Sequence, residues 1–382
     1  MSKTQAAGHL LPPLREDFKY FPYLTRRRCG ILIFVLGIVF YSTSFKNEYA
    51  LDDGIIIHQN DHVLKGVRGI KDILTRDAYE SFYRRMCATD QLAGGRYRPL
   101  SVVSFALEQE LIGTYRSGLY TRVEDANKNG VLDQNMVNYI SSCGRPEKNY
   151  EINAYTDSNN DGIVQGNECL MCWDKNENFK EDIEEDLNQD GLLNEVDCQL
   201  YGAEFRHFNN IWLYALGCFL LYRLFAFYFF RGNQDLAFLA ALLFTIHPIH
   251  SEAIANVKSR DEIFSLIFVA LTFIYAFRYI ETKRTKDLFI TAFVFLLALL
   301  SKEYAVMLLA LVPIAMYCFT NHRVNLLKPK AAPEFKTLLY TSVAFVICVL
   351  IMTWIKRDFD VHAAPGTKPV RSFWLLPFVY LG

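Results

Sequence analysis

The sequence has almost no excess of either charge. Its 40 Lys and Arg stand against 41 Asp and Glu, a net charge of −1 at pH 7. That excludes a global basic field, and with it a general nucleic-acid partner. A cleavable leader is not expected either. Residues 1–28 are polar and basic, and no small-residue cleavage site follows the first apolar run.

What the sequence does have is apolar surface: of 382 residues, 52% are hydrophobic and 15% aromatic. Long apolar runs alternate with short basic connectors over most of the chain. The stretch from about Thr114 to Glu204 differs, being polar, acidic and rich in Asn, Asp and Gly. Apolar runs this frequent do not suit a soluble core and read as membrane helices. Seven are expected, at Cys29–Phe45, Phe208–Phe230, Leu236–Ile246, Ile263–Phe277, Leu288–Leu300, Tyr304–Phe319 and Leu338–Trp354. An eighth apolar stretch opens at Phe373 and runs to Gly382, the pattern expected of a truncated frame. The fold class is therefore all-α and polytopic.

The connectors orient the chain. Arg26, Arg27 and Arg28 precede the first segment. Arg278, Lys283, Arg284 and Lys286 follow the fourth, and Arg323, Lys328, Lys330 and Lys336 follow the sixth. Alternation puts all three clusters on one side, which the positive-inside rule makes cytoplasmic. Two other stretches have helical character without the length or polarity to span. Val63–Ala78 carries Val63, Val67, Ile70, Leu74 and Ala78 at helical spacing among Lys65, Arg68, Lys71 and Arg76, the pattern of an interfacial amphipathic helix. Arg98–Ile112 opens with Pro99 and is followed by Gly113, but includes Glu108 and Glu110, so it is expected on the membrane surface.

Four polar constellations fall on the opposite, outer side. Asp52 and Asp53 follow the first segment, and adjacent carboxylates there supply a general base or a metal ligand; a solvated helix-capping turn is the plainer account. His247, His250 and Glu252 end the third segment, ahead of Lys258, Arg260, Asp261 and Glu262; Pro248 spoils a regular zinc face there. Lys302 and Glu303 stand at the hairpin vertex after the short fifth segment, where a self-neutralising pair is the bland reading. Arg98 opens a helix, where backbone N–H groups add to its charge toward a phosphate. Ordinary interfacial polarity and lipid head groups account for such groups singly; their convergence on one face points to an outward-facing site.

The ordered set Asn47, Asp52-Asp53, Tyr97-Arg98-Pro99-Leu100, His247-Pro248-Ile249-His250-Ser251-Glu252-Ala253 and Ser301-Lys302-Glu303 resembles the transmembrane O-mannosyltransferases that target cadherins and their bacterial relatives. These are glycosyltransferases of the GT-C type. The resemblance covers about residues 29–113 and 205–355. It implies a polyprenyl-phosphate sugar as donor and an acceptor outside the cytoplasm, protein Ser or Thr among the candidates. It also implies Asp53, with Asp52, as the catalytic base, and Arg98, Lys302 and Arg260 as ligands of the donor phosphate. His247, His250, Glu252 and Glu303 are further active-site candidates. The family's tetratricopeptide repeats and remaining helices are not in this sequence, and about 90 residues interrupt the loop after Leu100.

That interruption carries calcium-loop spacing. Asp157, Asn159, Asp161, Ile163, Gln165 and Glu168 occupy positions 1, 3, 5, 7, 9 and 12, with Gly162 at the turn. Asp186, Asn188, Asp190, Leu192, Asn194 and Asp197 repeat it, with Asp in place of the closing Glu. Asp125, Asn127, Asn129 and Asp133 form an opening half, but Met136 stands where the closing carboxylate belongs. Asp174, Asn176, Asn178, Asp182 and Glu185 fit without the Gly. Loops begin only twelve residues apart at Asp174 and Asp186, so paired EF-hands do not fit; the spacing resembles thrombospondin type 3 repeats. Structural Ca2+ is the cofactor implied. Cys143, Cys169, Cys172 and Cys198 allow three disulfide pairings; Cys169 and Cys172 as half of a zinc site is the second option.

The expected organisation is a cytoplasmic N-terminus (1–28), a first membrane helix with outer-face helices (29–113), a calcium-loop insert (114–204) and further membrane helices (205–382). The leading functional expectation is an integral-membrane glycosyltransferase in a bacterial inner membrane, with the endoplasmic reticulum second. The competing class is a transporter or receptor with a calcium-dependent binding insert. A transporter calls for helices broken at mid-membrane and inverted internal symmetry, and no such symmetry is visible in the sequence.

Overall fold

The computed structural model describes residues 11–50, 52–57, 60–64, 66–79, 97–112, 139–140, 146–147, 202–320, 343, 347 and 348. The calcium loops expected between Asp125 and Asp197 lie outside the described residues, as do the eighth apolar stretch and nearly all of the seventh expected span. In chain order the helices are α1 (Arg26–Tyr41), α2 (Asp53–Ile56), α3 (Asp61–Leu64), α4 (Ile70–Ile73), α5 (Pro99–Ile112), α6 (Ala203–Leu224), α7 (Gln234–Ile246), α8 (Ser251–Ala255), α9 (Arg260–Thr282), α10 (Thr285–Ser301) and α11 (Leu308–Phe319). One antiparallel pair, β1 (Tyr139–Ile140) with β2 (Pro146–Glu147), sets Tyr139 opposite Glu147. The chain divides into two units, Met1–Phe45 with His207–Arg357, and Lys46–Arg206.

The first unit is a bundle of apolar helices. Thr25 starts α1 by accepting from the Arg28 N–H at 3.3 Å, which satisfies one of the orphan donors of a helix start. A 3-10 turn carries α1 on to Lys46, 21 residues in all; α6 continues through a π-turn to Phe229, 27 residues; α9 with its leading turn runs from Val257 to Thr282, 26 residues. At 1.5 Å per residue each covers the ~30 Å of a bilayer core. A fourth candidate is bent: α7 and the Pro248–Ala255 segment qualify together but meet at 47°. The chain is thus a membrane protein by its helices, with three spans, or four counting the bent pair, among the described residues. The other two expected there appear as α10, 17 residues, and Glu303–Phe319, a 3-10 turn followed by α11.

The α10 helix starts three residues before the expected Leu288, because Asp287 anchors the turn. Its carboxylate accepts from Thr282 Oγ1 at 2.6 Å and pairs with Arg278 at 3.3 Å, while Lys283 closes α9 in the left-handed region at φ 53°. The resulting antiparallel pair, α9 and α10, makes the most extensive packing in the unit.

Contacts at the two ends of this bundle show the alternation. At one end the backbone N–H groups of Lys19 and Tyr20 donate to Asp235 at 2.7 and 3.1 Å, Arg231 pairs with Glu281, and Phe229 stacks on Phe319 at 4.3 Å. At the other end Tyr41 donates to the His247 carbonyl at 2.8 Å, Asn210 reaches the carbonyls of Asn256 and Val257, and Lys302 pairs with Glu262. The first end carries Arg26, Arg27, Arg28, Arg278, Lys283, Arg284 and Lys286, so two of the three basic connectors collect together, while Arg323, Lys328, Lys330 and Lys336 lie outside the described residues.

The second unit is built from short pieces. The single amphipathic helix expected over Val63–Ala78 is instead α3, a 3-10 turn at Gly66–Gly69, and α4. Two glycines explain the break. Gly66 has φ +59°, and the Val67 N–H beside it donates to the Glu110 carboxylate at 3.2 Å. A Cβ on Gly69 would collide with the His62 carbonyl oxygen. Helical spacing was present, but a left-handed glycine ends a helix. Asn60 ties the segment together, accepting from the His62 and Val63 N–H groups and donating to the Ala78 carbonyl at 3.0 Å. The helix expected over Arg98–Ile112 is present as α5.

Candidate functional site

In the first unit the polar candidates gather where α7 ends, α9 begins and α10 ends. Ile246 is the last residue of α7, and His247 is extended, which leaves the carbonyls of the final turn without helical partners. Two tyrosines from neighbouring helices satisfy them. Tyr41 of α1 donates to the His247 carbonyl, and Tyr214 of α6 donates to the Thr245 carbonyl at 3.1 Å. His247 is exposed and its Nδ1 accepts from the Ile249 N–H at 3.2 Å; the half-buried His250 ring packs on Phe244 at 4.4 Å. Glu252 is exposed in the first turn of α8. Among the described residues no group of three or more His, Cys, Asp or Glu is arranged to hold a metal.

The start of α9 carries Arg260, Asp261 and Glu262. Carboxylates in a first turn suit the positive end of the helix dipole, and Lys302, which follows the last turn of α10, suits its negative end. The two ends meet. Lys302 Nζ pairs with Glu262 Oε1 and lies 3.9 Å from Asp261 Oδ2, and Tyr304 donates to Glu262 Oε2 at 2.6 Å. Arg260 is 1% exposed, and its Nε donates to Asn210 Oδ1 at 2.7 Å. Glu303 is half-buried at the head of the following 3-10 turn. Beside Glu262 and Tyr304 opens a cavity of about 490 Å3, whose polar lining includes His250, Glu252, Ser259 and Ser265.

The second unit holds the paired aspartates. Asp53 opens α2 and is fully buried, accepting from the Ala50 N–H at 3.1 Å; Asp52 accepts from the Tyr79 hydroxyl at 3.1 Å. A solvated turn is therefore not what Asp53 occupies. Arg98, half-buried, directly precedes α5. Tyr97 beside it donates to the Leu74 carbonyl at 2.7 Å, and burial pushes its phenol up to about 12. A second buried group was not singled out by sequence. Arg206, 1% exposed, pairs with Glu108 at 3.5 Å, donates to Gln109 Oε1 at 2.7 Å and bonds the Tyr49 hydroxyl. Burial raises the Tyr49 phenol above its usual value, with the Arg206 charge opposing. The available signal was the charge of Arg206 just ahead of an apolar run, which a span boundary masks.

One comparison bears on the family. Residues 207–355 match the family described as dolichyl-phosphate-mannose-protein mannosyltransferase. The match covers less than half of the chain and falls within the first unit. It coincides with the second part of the resemblance read from the His247–Ala253 and Ser301–Glu303 patterns. No curated protein and no solved structure matches the chain.

Proposed function

We propose that the protein is an integral-membrane glycosyltransferase, moving a sugar from a polyprenyl-phosphate donor to an acceptor hydroxyl outside the cytoplasm. A protein Ser or Thr is the acceptor that the family description favours. The observation that carries this reading is the family match over residues 207–355, because that stretch contains every candidate of the first unit from His247 to Glu303. Apolar helices and a basic bundle end agree with it; by the positive-inside rule the basic end faces the cytoplasm and Lys302 faces out. A bacterial inner membrane is the proposed setting, with the endoplasmic reticulum second.

The chemistry assigns roles unit by unit. As the sugar leaves, its bond to the donor phosphate oxygen breaks and charge gathers on that oxygen. Lys302 stabilises the charge electrostatically, with Arg98 and Arg260 as further donors. Lys302 starts inside a carboxylate pair, so a bound phosphate exchanges with Glu262 for the same ammonium. A carboxylate takes the proton of the attacking hydroxyl, Asp53 being the proposed base and Asp52 its neighbour. The insert is proposed to bind calcium structurally.

The transporter reading gains nothing from the bent α7. Its break stands at the Lys302 end of the bundle, and the apolar length of α7 is uninterrupted up to Ile246. The test is transfer from a polyprenyl-phosphate hexose in membranes holding the full-length protein. Asp53→Asn keeps the shape and should lower the rate by about 10²-fold or more. Full activity in Asp53→Asn and Asp52→Asn alike removes the base assignment, and absence of any transfer by the unaltered protein removes the reaction class.

A further inference from the structure

The outward face of α6 carries a single charge. Phe208, Trp212, Leu216, Phe219, Arg223 and Phe227 recur every three or four residues, so they share one stripe of the helix. Phe208, Trp212 and Arg223 are exposed, and the other three are half-buried. The stripe lies within the span Ala203–Phe229, so its exposed side meets lipid rather than water. Arg223 stands ahead of Phe229 by about 9 Å along the helix axis. Among the described residues no acidic side chain pairs with it; its guanidinium lies over the Phe227 ring, 5.5 Å from the centroid and one turn nearer the helix end. An arginine on a lipid-facing stripe is costly, and it rises toward the interface or finds a counter-charge.

Helix α1 brings a second guanidinium to the same ring. Arg26, in its first turn, lies 5.0 Å from the Phe227 centroid. The two helices touch just below, where a Cβ on Gly30 would come within 2.9 Å of the Phe219 ring. Two cations on one ring repel each other, and only one carboxylate reaches them. Glu16, itself 80% exposed, takes Nη2 of Arg26 and leaves Nη1 without a hydrogen-bond partner. Arg27 and Arg28 are exposed beside Arg26, and the exposed Tyr20 and Tyr23 stand just ahead of it; tyrosines of this kind mark the headgroup level of a bilayer.

An anion attached to apolar chains answers both needs. A phosphate meets planar guanidinium forks with paired hydrogen bonds, and acyl chains can follow Trp212, Leu216 and Phe219 along the stripe. A headgroup with its own ammonium would set that charge against Arg27 and Arg28, so a net-negative head is favoured over a zwitterionic one. We propose that Arg26 and Arg223, held on Phe227, bind the phosphate of an acidic phospholipid in the leaflet at the basic end of the bundle. This site lies at the opposite end of the bundle from Lys302 and is independent of the transferase reading.

The probe is the purified full chain in detergent, with bound lipid counted by native mass spectrometry. Phosphatidylglycerol and phosphatidylcholine with the same acyl chains are offered together in equal amounts. Phosphatidylglycerol should be retained about tenfold or more over phosphatidylcholine. Arg223→Gln and Arg26→Gln should each cut that preference about fivefold, whereas Lys286→Gln, in a basic connector at the same end, should change it by less than about twofold. Arg223→Lys keeps the charge without the planar fork and should fall between Arg223→Gln and the unaltered protein. Equal retention of the two lipids overturns the proposal. So does an equal loss in Lys286→Gln and Arg223→Gln, which marks a diffuse basic field rather than a site. Displacement of phosphatidylglycerol by millimolar inorganic phosphate refutes the lipid and leaves a free-anion site. Where Arg223→Gln fails to fold, judged by gel filtration, Arg26→Gln and Phe227→Leu decide, and an unchanged preference in both overturns the proposal.

Discussion

Arg206 shows how one residue can fix a local structure. Its guanidinium is 1% exposed and meets Glu108, Gln109 and Tyr49 from three directions. A planar fork of five donors suits three partners, and a lysine would satisfy fewer. Removing one partner of a buried pair strands the other charge. Arg206→Met should therefore lower stability by about 3 kcal/mol or more, read as a fall in the thermal midpoint of the purified protein. The double variant Arg206→Met with Glu108→Leu removes both charges and should recover most of that loss. An unchanged midpoint in Arg206→Met shows that the pair carries no stability. The same residue marks a limit of sequence reading. Its charge stands just ahead of an apolar run, where it reads as a boundary, and its partners Tyr49 and Glu108 are about 100 to 160 positions away.

The break after α7 is the element that shapes the site. A helix that stops at Ile246 leaves carbonyls of its last turn without helical partners, and here Tyr41 and Tyr214 donate to the His247 and Thr245 carbonyls from α1 and α6. Tyr214 also lines the cavity, so one side chain both closes the helix end and shapes the pocket wall. Tyr214→Phe keeps the ring and deletes the donor. It should cost about 1–3 kcal/mol, seen as faster amide exchange at Phe244–His250, with α9 unaffected. Equal exchange in Tyr214→Phe and the unaltered protein overturns the clamp. Much of this element map was legible beforehand. The apolar runs gave α1, α6, α7, α9, α10 and α11 within a few residues, and Pro248 marked the break. What was not legible was set by contact rather than pattern. The spacing of Val63–Ala78 was helical, yet Gly66 and Gly69 divide it, because the turn packs against Glu110 and His62. Lys302 and Glu303 were read as a constellation apart from His250, Glu252 and Glu262; the structure joins Lys302 to Glu262 and Tyr304, since α9 and α10 are adjacent and antiparallel.

At the scale of the whole molecule, the polar insert and the apolar bundle call for opposite sources of stability. The bundle buries apolar side chains such as Phe238, Ile263 and Ile267 and takes its stability from packing. The stretch from Thr114 to Glu204 has few such residues and many carboxylates, which repel one another and cannot offset chain entropy alone. Metal binding can supply the difference, because loop ligands converge only in the folded state. Calcium in the millimolar range, typical of extracellular modules, should protect residues 114–204 of the full-length protein from protease, while chelator should expose them. The bundle should melt at the same temperature in both. Glu168→Gln removes the charged closing ligand of the Asp157 loop and should raise the calcium needed for protection. A change in the Asp125 loop should matter least, because Met136 cannot close it. Cleavage at the same rate with calcium and with chelator means that these stretches are ordinary polar turns and that the insert draws its order from elsewhere.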